Sequence, residues 1–491
     1  LTSAGLALLA AMKVVAGSIE RTFRVGSGGS MISASLSLAL IGVGHLVGMT
    51  VGIAMIVGLV ISFGVMLPLR TAGQIPAGGD LGEIVSGIFS SDVRFVGAGA
   101  MAIAAIWTLA KIALPIVRGV KEALAATRAR HDGTEVPVSE RDLSMRVVAW
   151  VTLASMLPIG LLLWLFVRHT PIAHHATGMV VVSILFVLLI GLAVAGVCGY
   201  MAGLIGASNS PISGVGILIV ITAALLIKVV HGAQSSDQGD ALIAYTLFTA
   251  AVVFGVATIS NDNLQDLKTG QLVSATPWKQ QVALIIGVLF GSVVIPPVLQ
   301  LLNNSFGFAG APGATDNALA APQAALLSSL AKGVFGGDLD WGLLGLGVVI
   351  GAVVVIIDEL LGRASSNRLR LPPLAVGMGM YLPMGLTLII PIGALAGLVY
   401  DRWAARAADP ESTKRLGTLA ATGLIVGESL FGVALAGIVA ATGKDEPLAV
   451  VGAGFTTVSE IIGVLLFAGM TLGLYLWAKR LSGAAMSRTG A

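Results

Sequence analysis

The fold is decided by a stretch such as Thr177-Gly-Met-Val-Val-Val-Ser-Ile-Leu-Phe-Val-Leu-Leu-Ile-Gly-Leu-Ala-Val-Ala-Gly-Val-Cys-Gly-Tyr-Met-Ala-Gly-Leu204, in which 28 residues pass without a charged side chain. A helix needs about 20 mostly apolar residues to cross the hydrocarbon core of a bilayer. The same test, applied outward along the chain, picks out runs at 1–17, 31–69, 94–117, 146–167, 177–204, 212–230, 241–260, 281–302, 342–361, 374–399, 418–441 and 458–478. The second run is about twice the required length and is read as two elements meeting near Gly48. Twelve or thirteen membrane segments result. Lipid accepts only helices or closed barrels, and these runs lack the alternation of barrel strands. The expected fold is therefore an all-α, polytopic membrane helix bundle.

Composition agrees. Of 491 residues, 56% are hydrophobic and only 11% charged, with a mean hydropathy of +0.95. A soluble domain carries roughly a quarter of its residues as charges, and a single water-soluble core stops growing near 250–300 residues. The 64 glycines suit membrane helices, where small residues let backbones approach closely. They follow no Gly-X-Y period. Cys198 is the single cysteine, so there is no intrachain disulfide framework. A net charge of +3 implies no nucleic-acid partner. Because Leu1 already lies in an apolar run, the start is read as truncated or processed.

Three polar stretches separate the runs. Arg118–Arg146 carries six Lys/Arg and five Asp/Glu. Asn303–Trp341 is rich in Ala, Gly and Pro, with a short helix expected around Pro322–Ala331. Asn261–Gln280 is the third. Leu36–Met49 can be laid on Leu371–Met384, which pairs Gly42 and Gly44 with Gly377 and Gly379. Paired Gly/Pro-interrupted segments of this kind mark binding sites in transporters built from internal repeats. Basic clusters at Arg118–Arg146, Arg363–Arg370, Arg402–Arg415 and Lys479–Arg488 are assigned to the cytoplasm. That assignment requires 374–399, interrupted by Pro383 and Pro391, to dip in and return, whereas a parallel repeat requires it to span.

Ionisable groups inside membrane segments cost about 2.5–3.5 kcal/mol on insertion scales and face cavities or partners. Here they are Lys13, His45, Lys111, Glu428 and Glu460. Glu428, flanked by Gly427 and Gly432, is a proton-relay or substrate-amine candidate. The bland alternative is a structural hydrogen bond to a neighbouring helix. Lys111 could meet a carboxylate, and His45 could titrate near neutrality or simply pack. Asp358 and Glu359 are given an interfacial role, and Lys228 and Arg168 are expected to snorkel.

Two polar constellations stand out. In Ala207–Gly214, Asn209, Ser210 and Ser213 offer neutral donors and acceptors, and Pro211 frees backbone groups; the alternative is an ordinary capped turn. In Asn261–Gln280, Asp262 and Asp266 share a helical face with Asn263, Gln265 and Lys268 close by. The alternative is an amphipathic surface helix capped by Asn261. Metal-ligand spacing is unconvincing there. No P-loop, Gly-x-Ser-x-Gly or His-Glu-x-x-His occurs, and His174-His175 sits in a short loop without carboxylates. The chain is not read as an enzyme, and no cofactor is implied. Transport without an ATP site must use an ion gradient or run downhill.

Asn261-Asp-Asn-Leu-Gln-Asp-Leu-Lys-Thr-Gly270 and Ala275-Thr-Pro-Trp-Lys-Gln-Gln281 resemble a signature of the oligopeptide transporter (OPT) superfamily, which includes the yellow-stripe-like metal-chelate carriers. Asn209–Gly214, Leu371–Asp401 and Ser33–Gly44 are similar to the family's segments and fall in the same order. The bacterial branch is the nearest. The resemblance implies about sixteen helices in two related halves, so 1–145 would be the C-terminal part of the first half and 146–491 the remainder. It also implies proton-coupled uptake of short peptides or peptide-like metal chelates across the bacterial cytoplasmic membrane. Its partners would be the substrate, protons, the lipid bilayer and a second copy of the chain as a homodimer. On this reading Asn209–Gly214 and Asn261–Lys268 line or gate the cavity. A passive channel is the alternative, and would be expected to show a repeated charge ring.

Overall fold

The described parts of the long apolar runs are mostly helical, because lipid offers the backbone no hydrogen-bond partners outside itself. The computed structural model describes residues 1–76, 80–108, 110–111, 138, 141–205, 212–232, 238–308, 318–319, 321–336, 340–444 and 446–489. Among them ten helices are long and apolar enough to cross a membrane, and three shorter apolar helices accompany them. In chain order the helices are α1 (Thr2–Ala11), α2 (Leu38–Val47), α3 (Met49–Thr71), α4 (Leu81–Thr108), α5 (Met145–Val167), α6 (Ala176–Ile205), α7 (Ile212–His231), α8 (Gly239–Leu272), α9 (Pro277–Ser305), α10 (Pro322–Gly336), α11 (Trp341–Ala364), α12 (Pro373–Tyr381), α13 (Met384–Ala404), α14 (Pro410–Thr442) and α15 (Thr456–Thr489). The apolar surface they leave open, such as Phe290 and Leu289 on α9, is surface that only a lipid tail solvates well.

The chain divides into two compact units: Leu1–Ala100 with Pro297–Pro322 and Leu343–Ala491, and Met101–Pro296 with Gln323–Gly342. In the first, one core joins Leu6 of α1, Leu38 and Ile41 of α2, Ile389 and Tyr400 of α13 and Leu424 of α14. A second joins Ala54 and Met55 of α3 to Val96 of α4, Val354 of α11 and Val376 of α12. Helices α3 and α4 each carry a widened π turn, at Val60–Met66 and Phe89–Val93. Their Phe63 and Phe89 rings stack there at 4.8 Å. The second unit packs Leu163 and Val167 of α5, Met179 of α6, Ile227 of α7 and Tyr245 of α8 against Val334 and Phe335 of α10. Tyr245 Oη donates to Ser183 Oγ at 3.0 Å inside this core, and Lys228 Nζ donates to the Val334 carbonyl.

Three local expectations change. The run at 31–69 does hold two helices parted at Gly48, but its first residues are a strand. Ser18–Val25 (β1) and Gly28–Ser35 (β2) form an antiparallel hairpin with Ser18 opposite Ser35. The Thr, Phe and Val of β1 and the Ile and Ser of β2 favour a pleated, half-buried ribbon. The helix α10 reaches Gly336, beyond the expected Ala331. Finally, no helix begins at Asn261. The polar segment continues α8 to Leu272, because extending an existing helix costs far less than nucleating one and no Pro or Gly interrupts it before Gly270. The turn falls at Val273–Thr276, where Ser274 takes φ +58°, and Pro277 opens α9.

Candidate functional site

The first unit contains two interrupted helices that touch at their glycines. Gly48, with φ 84° and ψ 169°, ends α2 and starts α3. This left-handed conformation carries little penalty only in glycine. The second interruption lies at Leu382–Pro383, between α12 and α13. Pro391 by contrast lies inside α13 without breaking it. Gly44 of α2 abuts α13 so closely that a Cβ would lie 2.0 Å from the Ile390 carbonyl oxygen and 2.8 Å from Gly393 Cα. Gly58 of α3 abuts α12, where a Cβ would meet the Val376 carbonyl oxygen at 2.2 Å and Gly379 Cα at 2.8 Å. The two contacts, 44 with 393 and 58 with 379, exchange with each other under one offset of 335 positions, which carries 44 to 379 and 58 to 393. That is the offset at which Gly44 aligns with Gly379 in the sequence.

Glu428 sits on α14, which runs antiparallel to α2: Gly42 meets Ala421, and Gly417 meets the His45 ring. This register brings the carboxylate to the N-terminus of α2. Ser37, the N-cap, accepts from the Leu40 N–H at 3.3 Å and donates to Glu428 Oε1 at 2.6 Å. The Ala39 N–H donates to Glu428 Oε2 at 3.0 Å. Both the capping hydroxyl and the helix dipole favour a negative charge at this point. Glu428 thus bonds a neighbouring helix through both carboxylate oxygens. The same carboxylate also borders a cavity of about 470 Å³ lined by Leu6 and Ala10 of α1, Ser37, Ala39 and Phe431. All its described partners are neutral donors. A carboxylate so placed can accept a proton or hold an organic ammonium.

His45 lies eight residues further along α2, about 12 Å of helical rise from Ser37. It is buried. Its Nδ1 lies 2.7 Å from Tyr475 Oη of α15, and its Nε2 lies 3.7 Å from Asp401 Oδ1 of α13. The Tyr475 ring stacks on the imidazole at 5.6 Å, and Tyr400 closes the group at 6.0 Å while donating to the Thr413 carbonyl. A hydrogen-bonded His–Tyr pair beside a carboxylate can store and pass a proton.

The other expected residues are dispersed. Lys13 pairs with Glu446 at 2.8 Å at open surface, and half-buried Glu460 pairs with exposed Arg21 at 2.5 Å. The Arg21 guanidinium, hydrogen-bonded to Glu460, is held above its ordinary pKa. Asp358 is not a bland interfacial acid. It is 3% exposed and binds Arg370 through two oxygens, with the Arg370 Nε at 2.8 Å, and also accepts from the Leu371 N–H at 2.8 Å. Hydrogen bonding to Asp358 raises the Arg370 pKa. In the second unit, Lys111 is exposed and lies over the Trp107 ring at 5.7 Å. On α8, Asp262, Gln265, Asp266 and Lys268 are exposed, with Lys268 Nζ donating to Gln271 at 2.9 Å, and Asn263 is half-buried. Asn261 faces inward, 5% exposed, and its Oδ1 has no partner. Asn209, Ser210 and Pro211 lie outside the described residues, and Ser213 is described only as part of α7.

Sequence reading passed over Tyr400, Asp401 and Tyr475. Each looks like an end-of-run residue, and only the packing of α13 and α15 on α2 gathers them. Arg94 escaped too: its Nη2 donates to Tyr381 Oη at 2.8 Å, one residue before the break that follows α12.

A family model described as OPT oligopeptide transporter protein matches residues 5–439. The chain belongs to this family. An OPT protein of Haemophilus influenzae, named as an oligopeptide transporter, is 38% identical over 486 residues, covering 96% of this chain and 76% of that one. A rice protein named as the metal-nicotianamine transporter YSL10 is 30% identical over 202 residues, 40% of this chain and 28% of its own length. Arabidopsis thaliana YSL5, named likewise, is 27% identical over 221 residues, 44% of this chain and 30% of its own. This chain thus spans under a third of the plant relatives it matches. No solved structure matches. These relatives are named as transporters, and with ten apolar helices the OPT chain is a multi-pass protein of the bacterial cytoplasmic membrane.

Proposed function

We propose that this OPT chain is a secondary active transporter that couples inward proton movement to uptake of short peptides or peptide-like metal chelates. The observation that carries the reading is Glu428: a carboxylate held by Ser37 and Ala39 at the start of an interrupted helix, on the wall of a cavity. Secondary transporters use the termini of interrupted helices to hold charged substrate groups and coupling ions, and Ser37 opens α2, whose other end breaks at Gly48. In this reading Glu428 carries the proton or meets the substrate ammonium. His45, with Tyr475 and Asp401, relays protons from the far end of α2. In the second unit, Asn261, whose buried amide oxygen has no partner, and Asp262–Lys268 line or gate the substrate path. The names of the relatives supply the two substrate classes.

In proteoliposomes, an imposed inward proton gradient should drive accumulation of a di- to tetrapeptide or a nicotianamine-like chelate. Glu428→Gln keeps an oxygen for the Ala39 N–H, so the variant should fold with an unchanged melting temperature while losing gradient-driven accumulation. Uptake that ignores the gradient would overturn proton coupling, and wild-type accumulation by the variant would remove Glu428 from the pathway.

A further inference from the structure

Away from the interrupted helices, three imidazoles meet within the second unit. His174 and His175 lie in the turn between α5 and α6, and His231 is the last residue of α7. The His175 and His231 ring centroids are 4.9 Å apart with planes at 82°, and those of His174 and His175 are 5.9 Å apart at 66°. His174 and His175 are exposed, whereas His231 is 5% exposed.

The bonding around His231 points to a ligand. Gln238 places its Oε1 3.3 Å from His231 Nε2, and its Nε2 lies 3.4 Å from both the Pro171 carbonyl and His174 Nε2. A consistent assignment has the amide oxygen accept from His231 Nε2–H. That leaves Nδ1 as the lone-pair nitrogen, and Nδ1 is buried with no partner. A buried polar atom left without a partner is destabilising unless something else satisfies it. An imidazole oriented through one nitrogen by an amide oxygen, with the other nitrogen bare, has the arrangement of a metal ligand with its supporting shell.

The spacing fits as well. A tetrahedral ion about 2.0–2.1 Å from each nitrogen sits roughly 3.2 Å from each ring centre, which sets neighbouring rings about 5 Å apart. His175–His231 already matches that separation, and His174–His175 is under 1 Å wider. Packing alone explains the ring contacts but not the bare Nδ1. No three His, Cys, Asp or Glu side chains among the described residues already form a metal cage, so closure requires the two exposed rings to turn.

We propose that His174, His175 and His231 form a binding site for one late first-row divalent cation such as Zn²⁺, with Gln238 orienting His231. An all-imidazole set suits zinc, copper or nickel and excludes magnesium and calcium, which demand oxygen ligands.

The test uses the full chain without a histidine tag, purified in detergent, with Zn²⁺ binding read by competition against a chromophoric chelator. One Zn²⁺ should bind per chain, and Mg²⁺ should not compete. His175→Ala, at an exposed loop position, should weaken binding at least about tenfold, as should His174→Ala, with melting temperatures in the absence of metal unchanged. His231→Gln should abolish binding. If that variant fails to fold, the two loop variants decide alone. Absence of stoichiometric binding, or binding of wild-type strength in His175→Ala, would overturn the site. The outcome is independent of the transported solute.

Discussion

Asp358 shows what a charge within an apolar helix does when its partner comes from outside. Arg370 reaches back from the connection before α12 and fills both carboxylate oxygens, and Leu371 adds a backbone donor. The group thus ties the entrance of α12 to α11. Removing the buried member leaves Arg370, 35% exposed, able to rehydrate. Asp358→Asn should therefore cost about 1–3 kcal/mol, less than a fully buried broken pair, and appear as a lowered melting temperature. An unchanged melt would show that the tie contributes nothing. Residue identity alone announced Glu428 and His45, since ionisable groups are rare in membrane runs. It could not announce their partners: Ser37 lies 391 positions from Glu428, and Tyr475 lies 430 from His45.

At the scale of elements, hydropathy was sufficient for the helices and misleading about some of their ends. It divided 31–69 because the run is about twice the length a spanning helix needs, and the break does fall at Gly48, whose backbone conformation suits glycine. It misread 261–272 because polarity is not a helix terminator; the side chains of Asp262, Gln265, Asp266 and Lys268 are exposed while the backbone continues. The hairpin was missed because β2 merges with the following apolar run. The glycine contacts yield a prediction proper to this scale. Gly44→Ala and Gly58→Ala each force a methyl against a backbone carbonyl, so the helices must separate. Each should cost about 1–3 kcal/mol, and if the two crossings are true duplicates the losses should be alike. Gly423→Ala, with nothing within 4 Å of the added carbon, is the control and should melt as wild type. Equal stability of all three would refute the tight crossings.

At the scale of the whole molecule, composition identified the solvent, and the order of motifs identified the family. What remained hidden was the assembly of unit 1 from three separated stretches of chain, because contacts between distant segments leave no periodic trace. The hairpin adds a boundary condition. Strand β1 pairs with β2 alone in a two-stranded sheet, and its residues are largely exposed. Among the described residues no further strand pairs its outer row of N–H and C=O groups, of which the Glu20 carbonyl accepts from the Arg21 side chain, and hydrocarbon cannot satisfy the rest. The ribbon is thus a water gauge: wherever it lies along the membrane normal, an aqueous vestibule must reach it. Cysteine placed at Arg24, on the exposed part of β1, should react with a membrane-impermeant maleimide from one side of the bilayer, while buried Cys198 stays silent. Failure to label from either side would mean that the ribbon is dry and that another backbone completes it.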